Sequence, residues 1–157
     1  MTTSLFGRKF IEMFEGFAPS AYQDQRGIWT IGYGHTSGVK QGHAVTMGEA
    51  DQFMADDLKT AEDAINRLVK TGLTQNQFDA LVSLVFNIGE GNFANSTVLR
   101  DLNALQYAGA AIAITFWNRT NGTVNPGLVR RREAEKALFL TVPKPEKTQG
   151  GKVTDAT

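Results

Sequence analysis

Apolar residues near the start of the chain recur at the spacing of an amphipathic helix. They are Leu5, Phe6, Phe10, Ile11, Met13, Phe14 and Phe17. This spacing predicts a helix over about residues 3–16 that lays one apolar face on a core.

The segment that follows is rich in Gly, Tyr, Trp, Ile and Thr and poor in helix-forming residues. Its pattern predicts two short antiparallel strands over residues 21–23 and 28–33, joined by a turn over residues 24–27. We expect a further strand near residues 39–45. A sheet this small cannot bury its own apolar face, so it must pack against a helix.

A capping box formed by Thr46 and Glu49 marks the start of the next helix. Apolar residues then recur at helical spacing, which predicts one helix to about residue 70. Gly72 is expected to close this helix, because glycine readily adopts the left-handed conformation found after helix ends.

A second capping box, Thr74 with Gln77, opens a helix that lacks a polar face. We expect this helix to be the buried centre of the fold. Asn95 or Ser96 is expected to cap the helix after it. Three further helices are predicted at residues 98–105, 108–116 and 127–140. A Gly/Asn loop is predicted at residues 118–126.

These elements together predict an α+β fold, mainly α, in a single domain over residues 1–142. A small β lobe over about residues 18–45 flanks a helical lobe made of about residues 46–142 and the N-terminal helix. Two such lobes enclose a cleft. The tail over residues 143–157 has almost no apolar residues and is predicted to be disordered.

Composition narrows the range of partners. Sixteen Lys and Arg balance sixteen Asp and Glu, so a general attraction to nucleic acid or to an acidic membrane is not encoded. The chain has no Cys, and its only His residues are His35 and His43. It therefore has few of the side chains that usually bind zinc. Its first residues form no long apolar run, so neither a signal peptide nor a membrane anchor is predicted.

Glu15 is the first candidate for catalysis. It lies near the end of the predicted first helix, next to Phe14 and close to Phe17. Partial desolvation among aromatic rings would favour the protonated carboxyl, which suits a general acid. Taken alone, an exposed Glu on the polar side of the helix is the simpler interpretation.

Asp24 and Thr30 follow at spacings of nine and six residues. Each has an ordinary explanation, since Asp is common in turns and Thr is common in strands. Two carboxylates with a hydroxyl nevertheless suit glycoside hydrolysis, in which one acid protonates the leaving oxygen and the second group activates water. Inversion at the sugar would require the carboxyl groups to stand about 6.5–9.5 Å apart.

The register of the second strand adds a prediction about the cleft. Alternation places Trp29, Ile31 and Tyr33 on one face, and Thr30, Gly32 and Gly34 on the other. A face of one hydroxyl and two glycines is open, so it would let a ligand approach the backbone closely. The alternative is that the glycines only mark a bend or a bulge.

Several ordered motifs resemble those of the phage-type lysozymes, glycoside hydrolase family twenty-four. The resemblance spans about residues 5–140 and is specific because the motifs keep their order and spacing. The motifs are Phe14-Glu15-Gly16, Ala21-Tyr22-Gln23-Asp24, Trp29-Thr30-Ile31-Gly32-Tyr33-Gly34-His35-Thr36, Phe86-Asn87-Ile88-Gly89, Asn92-Phe93, Ser96-Thr97 and Pro126-Gly127-Leu128-Val129-Arg130-Arg131-Arg132-Glu133.

The resemblance implies a lysozyme-like fold and hydrolysis, with inversion, of the β-1,4 bond between N-acetylmuramic acid and N-acetylglucosamine in peptidoglycan. Glu15 would be the acid, and Asp24 with Thr30 would position the water. No metal or organic cofactor is implied. Glycan contacts would fall on Thr36, Phe86 and Ser96.

The resemblance also implies a biological setting. An endolysin of this type is a monomer made in the host cytoplasm, and it acts on the cell wall after a holin opens the inner membrane. Host lysis would follow.

Two further residues have structural interpretations. We expect His35 to pair with a carboxylate rather than to act in catalysis. Within residues 130–132 we expect one Arg, with Arg131 as the first candidate, to turn inward and pair with a carboxylate near Glu15. Contact with Glu15 itself would favour the ionised carboxyl, opposing the effect of desolvation.

Three alternative functions differ in what they require. A lytic transglycosylase needs one acid and no water-activating Asp, so Asp24 and Thr30 argue against it. A wall-binding relative without turnover is disfavoured by the intact triad. A nucleic-acid module built on residues 130–132 is disfavoured by zero net charge and by the absence of interleaved aromatic residues.

Overall fold

The computed structural model describes residues 1–145, so residues 146–157 of the predicted disordered tail lie outside the described part. The described residues form a mainly helical fold with a small two-stranded sheet, which confirms the predicted fold class. In chain order the elements are α1 (Leu5–Glu15), β1 (Ala18–Gln23), β2 (Trp29–Gly32), α2 (Met47–Asp57), α3 (Lys59–Leu68), α4 (Gln75–Ile88), α5 (Glu90–Ala94), α6 (Thr97–Asn103), α7 (Tyr107–Ile114), β3 (Arg119–Thr120), β4 (Thr123–Val124) and α8 (Pro126–Leu140).

The β lobe is an antiparallel hairpin of β1 and β2, in which Tyr22 pairs with Thr30. The third strand predicted near residues 39–45 is wrong. That segment contributes only an isolated bridge, between Ala44 and Ser20. Gly38 and Gly42 adopt positive φ values of 70° and 86°, which interrupt an extended strand.

The capping box of Thr46 and Glu49 is present, and both of its hydrogen bonds form. The single long helix predicted after it is wrong, because α2 ends at Asp57 and α3 begins at Lys59. A break at the fully buried Leu58 lets each helix pack its own apolar residues. Helix α3 ends before an extended Val69, so Gly72 does not close it.

Helix α4 is the centre of the fold, as predicted. Its capping box of Thr74 and Gln77 forms, and every residue from 78 to 85 is buried. The helix packs on α1, α3 and α8. Two polar side chains share this burial and both are hydrogen-bonded. Asp79 accepts from the backbone N–H of Ser4 at 3.0 Å, and Ser83 contacts α8.

The later helices α6, α7 and α8 agree with their predicted positions within a few residues, and Ser96 caps α6. Two elements were not predicted. The short helix α5 follows Gly89, and the strands β3 and β4 form a hairpin inside the predicted loop. Among residues 1–145, no helix has both the length and the apolar character needed to cross a membrane.

Candidate active site

Glu15 is the last residue of α1, and Gly16 ends the helix with φ 69°. A carboxylate is unfavourable here, since the C-terminal end of a helix carries a partial negative charge. The Arg131 guanidinium offsets this, because its Nη1 donates to Glu15 Oε1 at 2.7 Å. The Glu15 side chain remains 22% exposed, so its carboxyl is held from the protein side and open on the other.

The turn after β2 approaches this carboxyl closely. A β-carbon built on Gly34 would lie 4.0 Å from Oε2 of Glu15, and Gly34 has φ 90°. A side chain at this position would therefore be strained and would point at the carboxyl. The C-terminal end of α1, which carries Glu15, and the end of the β hairpin therefore lie next to each other.

Arg131 turns inward and pairs with Glu15, but Arg132 is buried as well, so two of the three arginines at residues 130–132 turn inward where one was expected. All three guanidinium nitrogens of Arg131 are bonded, since Nε donates to Glu135 at 3.2 Å and Nη2 to the Ser83 carbonyl at 3.2 Å. The guanidinium also lies 5.3 Å from the ring centre of Phe14. Glu15 is therefore paired with a buried cation rather than surrounded by aromatic rings alone.

Glu135 lies behind Arg131 and was not identified from the sequence. It is fully buried and accepts from Ser83 Oγ at 2.6 Å and from Arg132 Nη1 at 2.5 Å. The spacings of three and four residues along α8 place these three side chains on one helix face. This spacing was the one available signal, and the same pattern is common on exposed helices.

Arg132 continues the network to the far side. Its Nε donates to the Trp117 carbonyl at 2.8 Å, and Nη2 donates to Asn87 Oδ1. Burial lowers the pKa of the Arg132 guanidinium, and Glu135 opposes that shift. Asn87 and Trp117 also line an open cavity of about 580 Å³ that the sequence did not indicate.

Asp24 lies in the exposed turn between β1 and β2, where sequence predicted it. Its Oδ1 accepts from the backbone N–H groups of Arg26 at 2.8 Å and Ile28 at 2.9 Å. The pKa of Asp24 is lowered because the Ile28 N–H, and then that of Arg26, stabilise the carboxylate. The backbone of the turn therefore stabilises the ionised form of Asp24.

Thr30 is 5% exposed, and its hydroxyl donates to the Ile28 carbonyl at 3.0 Å. The open face predicted beyond it is wrong at Gly32. A β-carbon there would lie 2.9 Å from Cβ of Ala50, so α2 covers this position. The chain instead bends, because Ile31 pairs with His35. The bend was the alternative interpretation of the glycines.

The three predicted glycan-contacting residues belong to three different parts of the chain. Thr36 is exposed in the turn after β2, while Phe86 lines a cavity of about 240 Å³ with Glu90 and other residues. Ser96 is 6% exposed and caps α6, since its hydroxyl donates to Phe93 and accepts from the Leu99 N–H. Their contact with glycan stays a prediction.

His35 has the structural place that was expected. Its Nδ1 lies 2.8 Å from Asp57 Oδ2, and its ring stacks on Phe53 with the centroids 4.3 Å apart. These contacts attach the turn after β2 to α2. Among residues 1–145, no group of three or more His, Cys, Asp or Glu side chains is placed to share a metal ion.

Known proteins resemble the chain over most of its length. The family model described as phage lysozyme matches residues 12–135. The endolysin of Salmonella phage P22 is 46% identical over 132 residues, which cover 81% of this chain and 90% of that protein. The endolysin of Acyrthosiphon pisum secondary endosymbiont phage 1 is 44% identical over 137 residues, covering 85% and 94%.

Solved structures give the same result. The muramidase domain of SpmX from Asticaccaulis excentricus aligns with a TM-score of 0.85 and 46% identity, over 90% of this chain and 99% of that one. A mutant of P22 lysozyme aligns with a TM-score of 0.85 and 42% identity, over 90% and 99%.

Proposed function

Because the chain belongs to the phage lysozyme family, we propose that it cleaves the β-1,4 bond between N-acetylmuramic acid and N-acetylglucosamine in bacterial peptidoglycan. Its similarity to endolysins and to a muramidase identifies it as a glycoside hydrolase.

One observation carries the proposal for the site. The Glu15 carboxyl, bonded to Arg131 at 2.7 Å, adjoins Gly34 at the end of the hairpin that also bears Asp24 and Thr30. A general acid needs a carboxyl that is held in place and still reaches substrate, and partial exposure of Glu15 meets that requirement.

In the proposed reaction Glu15 gives its proton to the glycosidic oxygen as the bond to the sugar breaks. The Arg131 guanidinium then stabilises the carboxylate that proton transfer leaves behind. No other group bonded to Glu15 carries a positive charge within the described residues. Proton transfer by a positioned acid contributes typically about 10²–10⁴-fold to rate.

Asp24 and Thr30 would hold the attacking water. The hydroxyl proton of Thr30 is already given to the Ile28 carbonyl, so its oxygen is free to accept a hydrogen bond from water. Asp24, kept ionised by its turn, accepts the other proton of that water. Attack from the face opposite the leaving group inverts the anomeric carbon.

The biological role we propose is host lysis by an endolysin. The protein would act as a monomer, reach the wall after a holin opens the inner membrane, and need no cofactor. Expression in the cytoplasm with and without a co-expressed holin tests this route. Lysis should require both proteins, and lysis by the chain alone would contradict holin dependence.

The test of the acid compares Glu15→Gln with the native protein on purified sacculi. Release of reducing ends should fall by about 10²–10⁴-fold. Glu133→Gln is the matched control, because Glu133 is exposed on α8 and should leave activity unchanged. Retained activity in a folded Glu15→Gln protein would overturn the assignment.

Product analysis tests the reaction itself. Mass spectrometry should find reducing ends, and early NMR spectra should show the α-anomer at the fresh end, since inversion converts β to α. Anhydro-sugar ends would instead indicate a lytic transglycosylase. A fresh β-anomer would indicate retention and a covalent intermediate.

A further inference from the structure

Glu135 is a buried carboxylate with no direct contact to Glu15, but it bonds three groups, and one of them, Arg131, holds Glu15. Its Oε1 accepts from Ser83 Oγ at 2.6 Å and from Arg131 Nε at 3.2 Å, and its Oε2 accepts from Arg132 Nη1 at 2.5 Å. A carboxylate with no exposure is stable only when its oxygens are this fully bonded.

The bond to Glu135 orients Arg131. A guanidinium is planar, so fixing Nε on Glu135 and Nη2 on the Ser83 carbonyl leaves Nη1 with one direction. That direction meets Glu15 at 2.7 Å. The position of the acid therefore depends on a residue on the far side of the guanidinium.

Charges in the network alternate. Glu15, Arg131, Glu135 and Arg132 follow one another as anion, cation, anion and cation. The groups that bond the network from α4 and from the segment after α7 are neutral, namely Ser83 and Asn87 and the carbonyl of Trp117. A change of one charge inside the network is therefore left without local compensation.

We propose that Glu135 is a positioning residue that aims Arg131 at Glu15 and, by balancing the charges of the two buried arginines, sets the pH dependence of hydrolysis. The inference rests on the proposed role of Glu15 as the acid. Without the charge of Glu135, two buried guanidinium groups would act on Glu15 alone and favour its ionised form. An acid that ionises too early cannot protonate the leaving oxygen.

The test is the pH profile of peptidoglycan hydrolysis. Glu135→Gln keeps the shape of the side chain and removes its charge, so the alkaline limb should move to lower pH by about one unit. Glu133→Gln removes the same charge from the exposed face of α8 and should leave the limb in place.

Arg132→Gln provides the opposite change and an independent test. Within residues 1–145 it leaves Arg131 as the one cation bonded to Glu135, so the alkaline limb of the pH profile should move to higher pH. Arg130→Gln is its matched control, because Arg130 is exposed on the same helix. The double variant Glu135→Gln with Arg132→Gln restores the charge balance and should return the limb toward its original position.

A purely structural role would lower the melting temperature and leave the limb unmoved, and that result in either folded variant would overturn the proposal. If Glu135→Gln does not fold, Arg132→Gln decides. Failure of the acid assignment is recognised separately, since Glu15→Gln would then retain activity.

Discussion

The two carboxylates of the site are held in different ways. Glu15 is bonded to a guanidinium 116 residues further along the chain, on the last helix. Asp24 is bonded to backbone N–H groups only two and four residues away, within its own turn. The first carboxylate depends on the packing of α8 against α4, whereas the second depends on a few consecutive residues.

This difference separates stability from activity. The groups around Glu15 are buried and charged, so removing one leaves others without partners and destabilises the fold. The turn around Asp24 is exposed, and changes there leave the core intact. Substitutions near Glu15 should therefore alter both properties, and substitutions at Asp24 should alter activity far more than stability.

Arg131→Met should have the largest effect. It leaves Glu135 with fewer partners and Glu15 with none, so the free energy of unfolding should fall by about 3–5 kcal/mol. Urea unfolding measures this loss. Arg130→Met, on the exposed side of α8, should change stability by less than about 0.5 kcal/mol. Equal losses in both variants would contradict the importance of the buried network.

Asp24→Asn should separate the two properties. The amide oxygen of Asn still accepts from the N–H groups of Arg26 and Ile28, so the urea midpoint of unfolding should stay close to that of the native protein. Hydrolysis should fall about 100-fold, because the amide no longer takes a proton from water. A stable protein with full activity would remove Asp24 from the mechanism.

Gly32→Ala tests whether strand β2 tolerates substitution as well as the exposed turn of the hairpin does. A β-carbon would meet Ala50 at 2.9 Å, and φ is 62°, so stability should fall by about 2–4 kcal/mol. Gly38→Ala has a similar φ of 70° but open space around it, and should lose only about 1–2 kcal/mol. The difference between the two measures the contact with α2. Equal losses would mean that backbone conformation alone explains the glycine.

The smallest expected effect concerns the pKa of Asp24. Its pKa should lie below the ordinary value of 3.8, since backbone N–H groups stabilise the carboxylate. Its contribution to stability is thus present above pH 3.8 and is lost as pH falls through the lower folded pKa. Carboxyl ¹³C chemical shifts measure the midpoint. A midpoint at or above 3.8 in the folded protein would contradict the turn geometry.

Features encoded locally were predicted well. Both capping boxes formed as expected, because each needs only residues three positions apart. Asp24 was placed in its turn for the same reason. The break at Leu58 was missed because its backbone keeps right-handed helical angles, φ −72° and ψ −16°, so no turn residue marks it.

Features that depend on the whole fold were predicted less well. Arg131 was a candidate because the family resemblance and the Arg run drew attention to it. Glu135 carries no local sign of burial, since its spacing from the arginines is equally typical of an exposed helix. The predicted open face also failed, because covering Gly32 requires Ala50 to arrive from another helix.

A central helix buried on all sides has a consequence for the motions of the protein. The residues of α4 from 78 to 85 are all buried, so small openings of the structure do not expose their amide protons. These amides should exchange with deuterium only when the whole domain unfolds. The slowest exchange rates would then report global stability, while the amides of the hairpin around Asp24 would exchange far sooner.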